Sequence, residues 1–128
     1  MRLNAKMLIN SYFISIIHME EGLNMNITVF NFSTTGCAQC GLMDQRLTEV
    51  LSEYKEVTYK HVFLDKEPRY LSEYQLLTSP TIVFLVNDFE VFRKSGIIER
   101  SLIRKELDGI IWKQEMLNNR EKNPIELK

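Results

Sequence analysis

The chain contains two cysteines, Cys37 and Cys40, which are separated by two residues. A β-type run at 27–32 precedes them and a helical pattern at 42–54 follows, so the pair stands at a strand-to-helix junction. A helix N-terminus carries about half a positive charge and several unpaired N–H groups, which stabilise a thiolate placed there. Since the thiolate is the form that attacks disulfides, this position predicts thiol–disulfide chemistry.

Composition excludes several other classes of function. The chain has 128 residues, of which 45% are hydrophobic and 26% are charged, with a formal net charge of −1. These values are typical of a single globular domain, and they give no electrostatic reason to expect nucleic acid or a membrane surface as a partner. The two histidines, His18 and His61, lack zinc-finger spacing relative to the cysteines, so no metal site is expected.

Hydrophobic periodicity predicts strands and helices in alternation. Strands are predicted at 27–32, 57–64, 81–86 and 89–94, and helices at 42–54, after Pro68 and at 103–117. Asn87 and Asp88 predict a two-residue turn between the last two strands. Residues 119–128 are polar and are expected to form a tail, which leaves a single domain at 1–118.

The N-terminal stretch allows three interpretations. Residues 7–21 fit a first strand followed by a capped helix, and on that interpretation the protein is expected in the cytoplasm. Basic residues before an apolar run also resemble the start of a signal peptide, in which case residues 1–18 anchor the protein in a membrane or direct its export. The third interpretation is that translation starts at Met19 or Met25.

The predicted order, with a C-x-x-C motif opening a helix, resembles the thioredoxin fold over about residues 7–117. The segment Ser79-Pro80-Thr81 resembles the family's cis-proline segment. Asp65 with Pro68 resembles its turn into the third helix, and Gly96 is similar to its close-approach glycine. The resemblance implies an α/β thioredoxin fold in the order βαβαβαββα, with helices flanking a central mixed sheet.

The chain departs from the family's pattern near the cysteines. The departures are Gly36 for a Trp, Ala38-Gln39 for a Gly-Pro pair, Asn31 for a buried Asp, His61 for a Lys and Gln45 for a Pro. Without a proline between the cysteines the first helical turn is less rigid, and Gln39 can donate a hydrogen bond to a Cys37 thiolate, which favours the reduced form. We therefore expect a redox potential above about −270 mV, which equilibration with glutathione measures.

The resemblance implies that Cys37 attacks disulfides and that Cys40, one turn into the helix and more buried, resolves the mixed disulfide. A cis Ser79–Pro80 bond would face the cysteines and pair with an extended substrate, with Gly36 on the rim of the same groove. Other interpretations stay open at this point: inert buried thiols, half of a metal site shared between two chains, and an ordinary trans Pro80.

A resolving thiol needs a proton acceptor, and Asn31 cannot serve because its amide does not titrate. His61 belongs to the residue type that exchanges protons near neutral pH, so the hypothesis is that His61 or water takes this role, or that resolution is slow near neutral pH. The candidate relay site thus consists of His61 together with Asn31. The alternative is that His61 makes one local hydrogen bond and takes no part in the chemistry.

The sequence thus predicts a thiol–disulfide oxidoreductase that exchanges protein disulfides in cell redox homeostasis. No bound cofactor is implied, and electrons are expected from a thioredoxin-reductase-type enzyme or a small thiol. The protein is expected to be a monomer. Two other functions remain open on the sequence alone: a non-catalytic interaction module and a redox sensor whose disulfide switches a partner interaction.

Overall fold

The computed structural model describes residues 25–122 of the chain. This part contains β1 (Ile27–Ser33), α1 (Ala38–Leu51), β2 (Val57–Phe63), α2 (Arg69–Glu73), β3 (Thr81–Val86), β4 (Phe89–Ser95) and α3 (Arg100–Lys122). The strand and helix predicted within residues 7–21 lie outside the described residues. From β1 onwards, the observed order is the predicted one.

The four strands of the described part form one mixed sheet in the order β2-β1-β3-β4. Strand β1 pairs in parallel with β2 and antiparallel with β3, and β3 pairs antiparallel with β4. Because β1 lies between two strands, its backbone is paired on both edges, and all seven of its residues are buried. This explains why its sequence is nearly continuous in apolar and β-branched residues. The predicted α/β thioredoxin fold is confirmed.

Alternate residues of β1 face two different environments. Phe30 and Phe32 stack with their ring centroids 4.8 Å apart, and Tyr70 of α2 packs against the same apolar cluster. Asn31 and Ser33, both fully buried, belong to the opposite set of β1 residues. Phe30 and Phe32 contribute to the apolar cluster on one side of β1, and Asn31 and Ser33 contribute to the site described below.

Helix α1 begins at Ala38, earlier than predicted, because Cys37 acts as its N-cap. The apolar stripe predicted for this helix is buried: Met43, Leu47 and Val50. The helix ends at Leu51. Tyr54, which the helical pattern includes, lies beyond that end in a turn where its N–H donates to the Leu51 carbonyl at 3.0 Å. Apolar spacing continues through this turn, so spacing alone does not locate the end of the helix.

The β3–β4 hairpin turns through Asn87 and Asp88, with φ values of 52° and 70°. Both lie in the left-handed region that Asn and Asp tolerate, and the predicted two-residue turn is confirmed. The Asn87 side chain also accepts a hydrogen bond from the N–H of Asn26 at 3.1 Å, which ties the hairpin to the residue before β1.

Helix α3 (Arg100–Lys122) is longer than the predicted helix and extends beyond residue 119, where the sequence predicts a polar tail. The segment Asn26–Glu106 forms one compact unit, and residues 107–122 belong to a second. The predicted boundaries of a single domain at 1–118 stay a prediction. Within residues 25–122, no helix is both long enough and apolar enough to cross a membrane.

Candidate active site

The two cysteines lie where β1 ends and α1 begins, and in this structure they form a disulfide with their Cα atoms 5.3 Å apart. Cys37 is the N-cap of α1, and its Sγ accepts a hydrogen bond from the N–H of Cys40 at 3.1 Å. Cys37 is partly exposed, whereas Cys40 is only 2% exposed. One sulfur is therefore open to a partner at the helix N-terminus, and the other is enclosed, as the sequence predicts.

The loop of residues 34–36 connects β1 to Cys37 and holds the cysteine in its capping position. The N–H of Cys37 donates to the carbonyl of Thr34 at 3.3 Å. Gly36 has a φ of +82°, and a Cβ added there would meet no atom within 4 Å. The glycine is thus required by the left-handed backbone and not by lack of space. Where the family's pattern has a Trp, this chain has no side chain beside Cys37.

Asp65, in the connection after β2, fixes the same loop from a distant part of the sequence. Its Oδ1 accepts the N–H of Thr35 at 2.9 Å, and its Oδ2 accepts the Thr35 hydroxyl at 2.6 Å. The hydroxyl hydrogen bond, followed by the N–H hydrogen bond, lowers the pKa of Asp65 below its ordinary value, so this carboxylate is ionised at neutral pH. The resemblance predicts only a turn at Asp65, and sequence spacing does not reveal its link to Thr35.

The Ser79–Pro80 peptide bond is cis, as the resemblance implies. Antiparallel pairing of β3 with β1 brings the residues before β3 next to the loop that follows β1. The hydroxyls of Ser79 and Thr34 accordingly lie 3.0 Å apart. Gly36, Ser79 and Pro80, predicted to form one groove, therefore belong to segments that a hydrogen bond joins beside Cys37.

Gly96 lies next to this segment, and its N–H donates to the Pro80 carbonyl at 2.8 Å. The close approach expected at Gly96 is not found, because a Cβ there would meet no atom within 4 Å. A φ of +87° instead accounts for the glycine.

Five polar side chains of β1, β2 and α1 form a closed ring of four hydrogen bonds and one ion-pair contact, which we call the polar ring. Ser33 Oγ donates to Asn31 Oδ1 at 3.1 Å, and Asn31 Nδ2 donates to the Tyr59 hydroxyl at 3.3 Å. The Tyr59 hydroxyl donates to Asp44 Oδ1 at 2.6 Å. His61 closes the ring, with Nδ1 at 3.3 Å from Asp44 Oδ1 and Nε2 at 2.8 Å from Ser33 Oγ. The ring brings the predicted Asn31 and His61 together with three residues that were not predicted.

Among the three residues not predicted, Asp44 could have been found from its spacing relative to Cys40. It lies four residues after Cys40, so the two share a face of α1, and Met43 beside it belongs to the buried stripe. Its side chain is 40% exposed, so it lies at the edge of that stripe, where a carboxylate can bind a partner from the sheet. Tyr59 is such a partner. Burial, followed by the hydrogen bond to Asp44, raises the pKa of Tyr59 above its ordinary value. Its hydroxyl therefore stays protonated and donates a hydrogen bond to Asp44.

This arrangement can support reversible disulfide formation coupled to proton transfer. An accessible sulfur lies at a helix N-terminus and an enclosed sulfur lies one turn further on. A ring that contains a carboxylate and an imidazole reaches the same helix face. No group of three or more His, Cys, Asp or Glu side chains within residues 25–122 is arranged to hold a metal ion.

Comparison with known proteins gives a consistent result. The family model described as Thioredoxin matches residues 7–109. Thioredoxin H7 of Arabidopsis thaliana is 28% identical over 91 residues, which cover 71% of this chain and 70% of that protein.

Solved structures show the same fold. Mitochondrial thioredoxin 3 of Saccharomyces cerevisiae, in its oxidised form, superposes with a TM-score of 0.59 at 21% identity and covers 66% of this chain and 78% of its own. Fasciola hepatica thioredoxin superposes with a TM-score of 0.60 at 21% identity and covers 77% of this chain and 91% of its own.

Proposed function

Because this chain belongs to the thioredoxin family and is a thiol–disulfide oxidoreductase, we propose that Cys37 attacks substrate disulfides and that Cys40 resolves the product. In the first step the Cys37 thiolate forms a bond to one substrate sulfur, and the other leaves as a thiolate. In the second step the Cys40 thiolate attacks Cys37 Sγ and releases the remaining substrate sulfur. The protein ends with the Cys37–Cys40 disulfide, and the substrate has gained two electrons.

The observation that carries this assignment is the position of Cys37 Sγ at the N-cap of α1. It accepts the Cys40 N–H at 3.1 Å, and the helix N-terminus adds a favourable electrostatic field for a negative sulfur. Cys40 is enclosed, so an external disulfide reaches Cys37 first. Accessibility and electrostatics therefore favour the same division of roles.

We propose an extended polypeptide as the substrate, bound in a groove formed by Gly36, Ser79 and Pro80. Gly36 places no side chain over the sulfur, and the Ser79 segment lies across the loop from it. Leu77 is 98% exposed two residues before Ser79, so an apolar side chain lies next to the polar groove. Extended chains bind such grooves through main-chain hydrogen bonds, with side-chain contacts adding specificity.

The remaining partners follow from the same chemistry. We propose protein disulfides as substrates, and a thioredoxin-reductase-type enzyme or a small thiol as the electron donor. We further propose that the protein acts as a monomer in the cytoplasm, with His61 in the proton relay of Cys40 and Asn31 positioning its partners. His61 supplies the titratable group of that relay, and Asn31 orients Ser33, which hydrogen bonds to His61.

A pair of cysteine variants tests the proposed roles. Cys40→Ser should accumulate mixed disulfides with cellular proteins that dithiothreitol releases, whereas Cys37→Ser should accumulate none. In insulin reduction, Cys37→Ser should lose activity by about a thousandfold or more, because no other described sulfur is accessible at a helix N-terminus. Equal trapping by both variants would contradict the assignment. Fractionating the cells before analysis reports the compartment and separates the cytoplasm from a membrane or exported location.

A further inference from the structure

Resolution of the mixed disulfide requires Cys40 to lose a proton, because the thiolate is the attacking form. Cys40 is 2% exposed, so bulk water has little access to it, and Asn31, fully buried on β1, has no titratable group. Helix α1 itself carries a carboxyl group close to Cys40 in the sequence. Asp44 follows Cys40 by four residues, a spacing at which Cβ atoms lie about 6 Å apart on one helix face.

The hydrogen bonds of the polar ring determine where it can hold a proton. Ser33 has a single hydroxyl proton, which forms the hydrogen bond to Asn31 Oδ1. Ser33 Oγ is therefore the acceptor in the hydrogen bond with His61 Nε2–H. The Tyr59 proton is directed at Asp44. The two atoms left without an assigned proton are His61 Nδ1 and Asp44 Oδ1, which face each other at 3.3 Å.

The ring can therefore take up one proton, which would lie between Asp44 Oδ1 and His61 Nδ1. With that proton present, donor and acceptor are matched. Without it, a carboxylate oxygen faces an imidazole lone pair, and uptake of a proton relieves the repulsion.

The ring also leads from the interior of the protein to solvent. Asn31 and Ser33 are fully buried, whereas the side chains of His61 and Asp44 are 22% and 40% exposed. A proton taken up by the Asp44–His61 pair can therefore pass to water while Cys40 remains enclosed.

We propose that the Asp44–His61 pair accepts the proton of Cys40 when the mixed disulfide is resolved, an inference that rests on the proposed roles of the two cysteines. The Cys40 S–H bond breaks and its proton becomes shared between Asp44 Oδ1 and His61 Nδ1. The electron pair left on Cys40 forms the bond to Cys37 Sγ. The bond between Cys37 and the substrate breaks with its electron pair on the substrate sulfur, so no reactant beyond the substrate disulfide is needed.

The groups around the pair define its response to pH. The two β1 members of the ring do not titrate. From β2, the Tyr59 hydroxyl faces Asp44, and the Phe63 ring lies 4.6 Å from the His61 ring between centroids. The raised pKa of Tyr59 keeps its hydroxyl neutral. The groups named here from β1 and β2 are therefore uncharged at neutral pH. On α1, Cys40 lies one helical turn before Asp44.

Stopped-flow reaction of the reduced protein with 5,5′-dithiobis-(2-nitrobenzoate) measures the two steps separately. The first release of thionitrobenzoate reports attack by Cys37, and the second reports resolution by Cys40. At pH 7, Asp44→Asn should slow the second phase by about 10- to 100-fold and change the first by less than about twofold. His61→Gln should act in the same direction, and it serves as the second test of the pair.

The pH profile distinguishes a proton acceptor from a purely structural residue. In Asp44→Asn, the second phase should rise about tenfold per pH unit between pH 6 and 8, because the rate then follows the small fraction of ionised Cys40. In the wild-type protein the second-phase rate should reach its plateau at a lower pH than in Asp44→Asn. Glu49→Gln is the matched control, since it removes one carboxylate from the same helix at a position that binds Arg100, and its second phase should match the wild type.

Two outcomes lead to different conclusions. If Asp44→Asn and His61→Gln keep the wild-type rate and pH profile of the second phase, the role of the pair is refuted while the cysteine assignment stands. If the first phase of the wild-type protein is no faster than that of a free cysteine, the proposed role of Cys37 fails instead. Because Cys40 is enclosed, a slow first phase still ends with the reagent on Cys37, and the intramolecular second phase then still tests the pair.

Discussion

The two sides of the Cys37–Cys40 pair are built in different ways. On the outer side, the loop of residues 34–36 is held by a main-chain bond to Thr34, by the exposed Asp65 and by the hydroxyl of Ser79. On the inner side, the polar ring consists of side chains from three elements, and its β1 members are fully buried. The outer side is positioned by separate, more exposed hydrogen bonds to a loop, and the inner side by a closed set of side-chain contacts.

This difference implies unequal tolerance to change. Exposed hydrogen bonds that are broken on the outer side can be replaced by bonds to water, at little net cost. A buried group in the ring that loses its partner remains unsatisfied, because water cannot replace the missing donor or acceptor. The inner side should therefore respond more strongly to single substitutions in stability, and the outer side mainly in the rate of attack by Cys37.

Returning a carboxylate to β1 is the strongest test of this comparison. Asn31→Asp replaces an amide that donates to Tyr59 with a group that cannot donate when ionised, at a position that is 0% exposed. Burial should raise the pKa of the new carboxyl above its unfolded value of about 3.9. Stability should then be close to that of the wild type at pH 4, and should fall as pH rises towards the folded pKa. At pH 8 we expect a loss of about 2–3 kcal/mol.

Urea unfolding at the two pH values measures this loss. Asn31→Leu is the control of similar volume. It removes the same hydrogen bonds without adding a titratable group at this position, so its loss of stability should depend much less on pH. An Asn31→Asp variant that is equally destabilised at pH 4 and pH 8 would show that the inner side does not disfavour a charge.

The same contrast explains how much of the molecule could be predicted from its sequence. The cysteines, the cis Pro80 and the turn at Asn87 depend on local residue types and on a family pattern, and these were found. The polar ring depends on which side chains meet across β1, β2 and α1, and local sequence does not contain that register. His61 and Asn31 were predicted as a pair because they replace two family residues, whereas Asp44 replaces none of the positions that the pattern marks.

The ends of elements were predicted less well, for a related reason. Helix α1 begins at Ala38 because Cys37 caps it through its sulfur, and cysteine is not among the residues that normally signal an N-cap. Helix α3 runs to Lys122 although its last turns are polar, and polar residues there predict a tail. Apolar periodicity identifies the buried part of a helix, and it gives no boundary where the helix continues into solvent.

A change on the outer side should affect the rate of attack. Asp65→Ala removes both acceptors of Thr35 and should slow the first phase of the two-step thiol assay by about three- to tenfold, because the loop that positions Cys37 is less well fixed. Asp65→Asn keeps one carbonyl acceptor for the Thr35 N–H and should lose less than about twofold. The second phase should be unchanged in both variants.

The pH dependence of the Asp65 contact follows from its lowered pKa. A carboxyl whose pKa is lowered in the folded state contributes its stabilisation above the unfolded pKa of about 3.9, and the contribution disappears as pH falls through the folded pKa. The ratio of the wild-type first-phase rate to that of Asp65→Ala should therefore be constant from pH 6 to 8, although both rates rise with the ionised fraction of Cys37. A ratio that varies across this range would indicate that another group holds the loop.

The smallest effect is expected at Leu77, which tests whether the outer side also contacts substrate. Its side chain is 98% exposed, so Leu77→Ser should leave stability within about 0.5 kcal/mol of the wild type. If a bound polypeptide covers about half of this side chain, the loss of roughly 1 kcal/mol corresponds to an increase of about fivefold in the KM for insulin reduction.

Leu71→Ser, at a 42% exposed leucine of α2, is the matched control and should leave the KM unchanged. Neither variant should alter the reaction with the small disulfide reagent, which does not need the groove. Equal KM values for the two variants would mean that Leu77 lies outside the bound polypeptide, and the groove would then be limited to Gly36, Ser79 and Pro80.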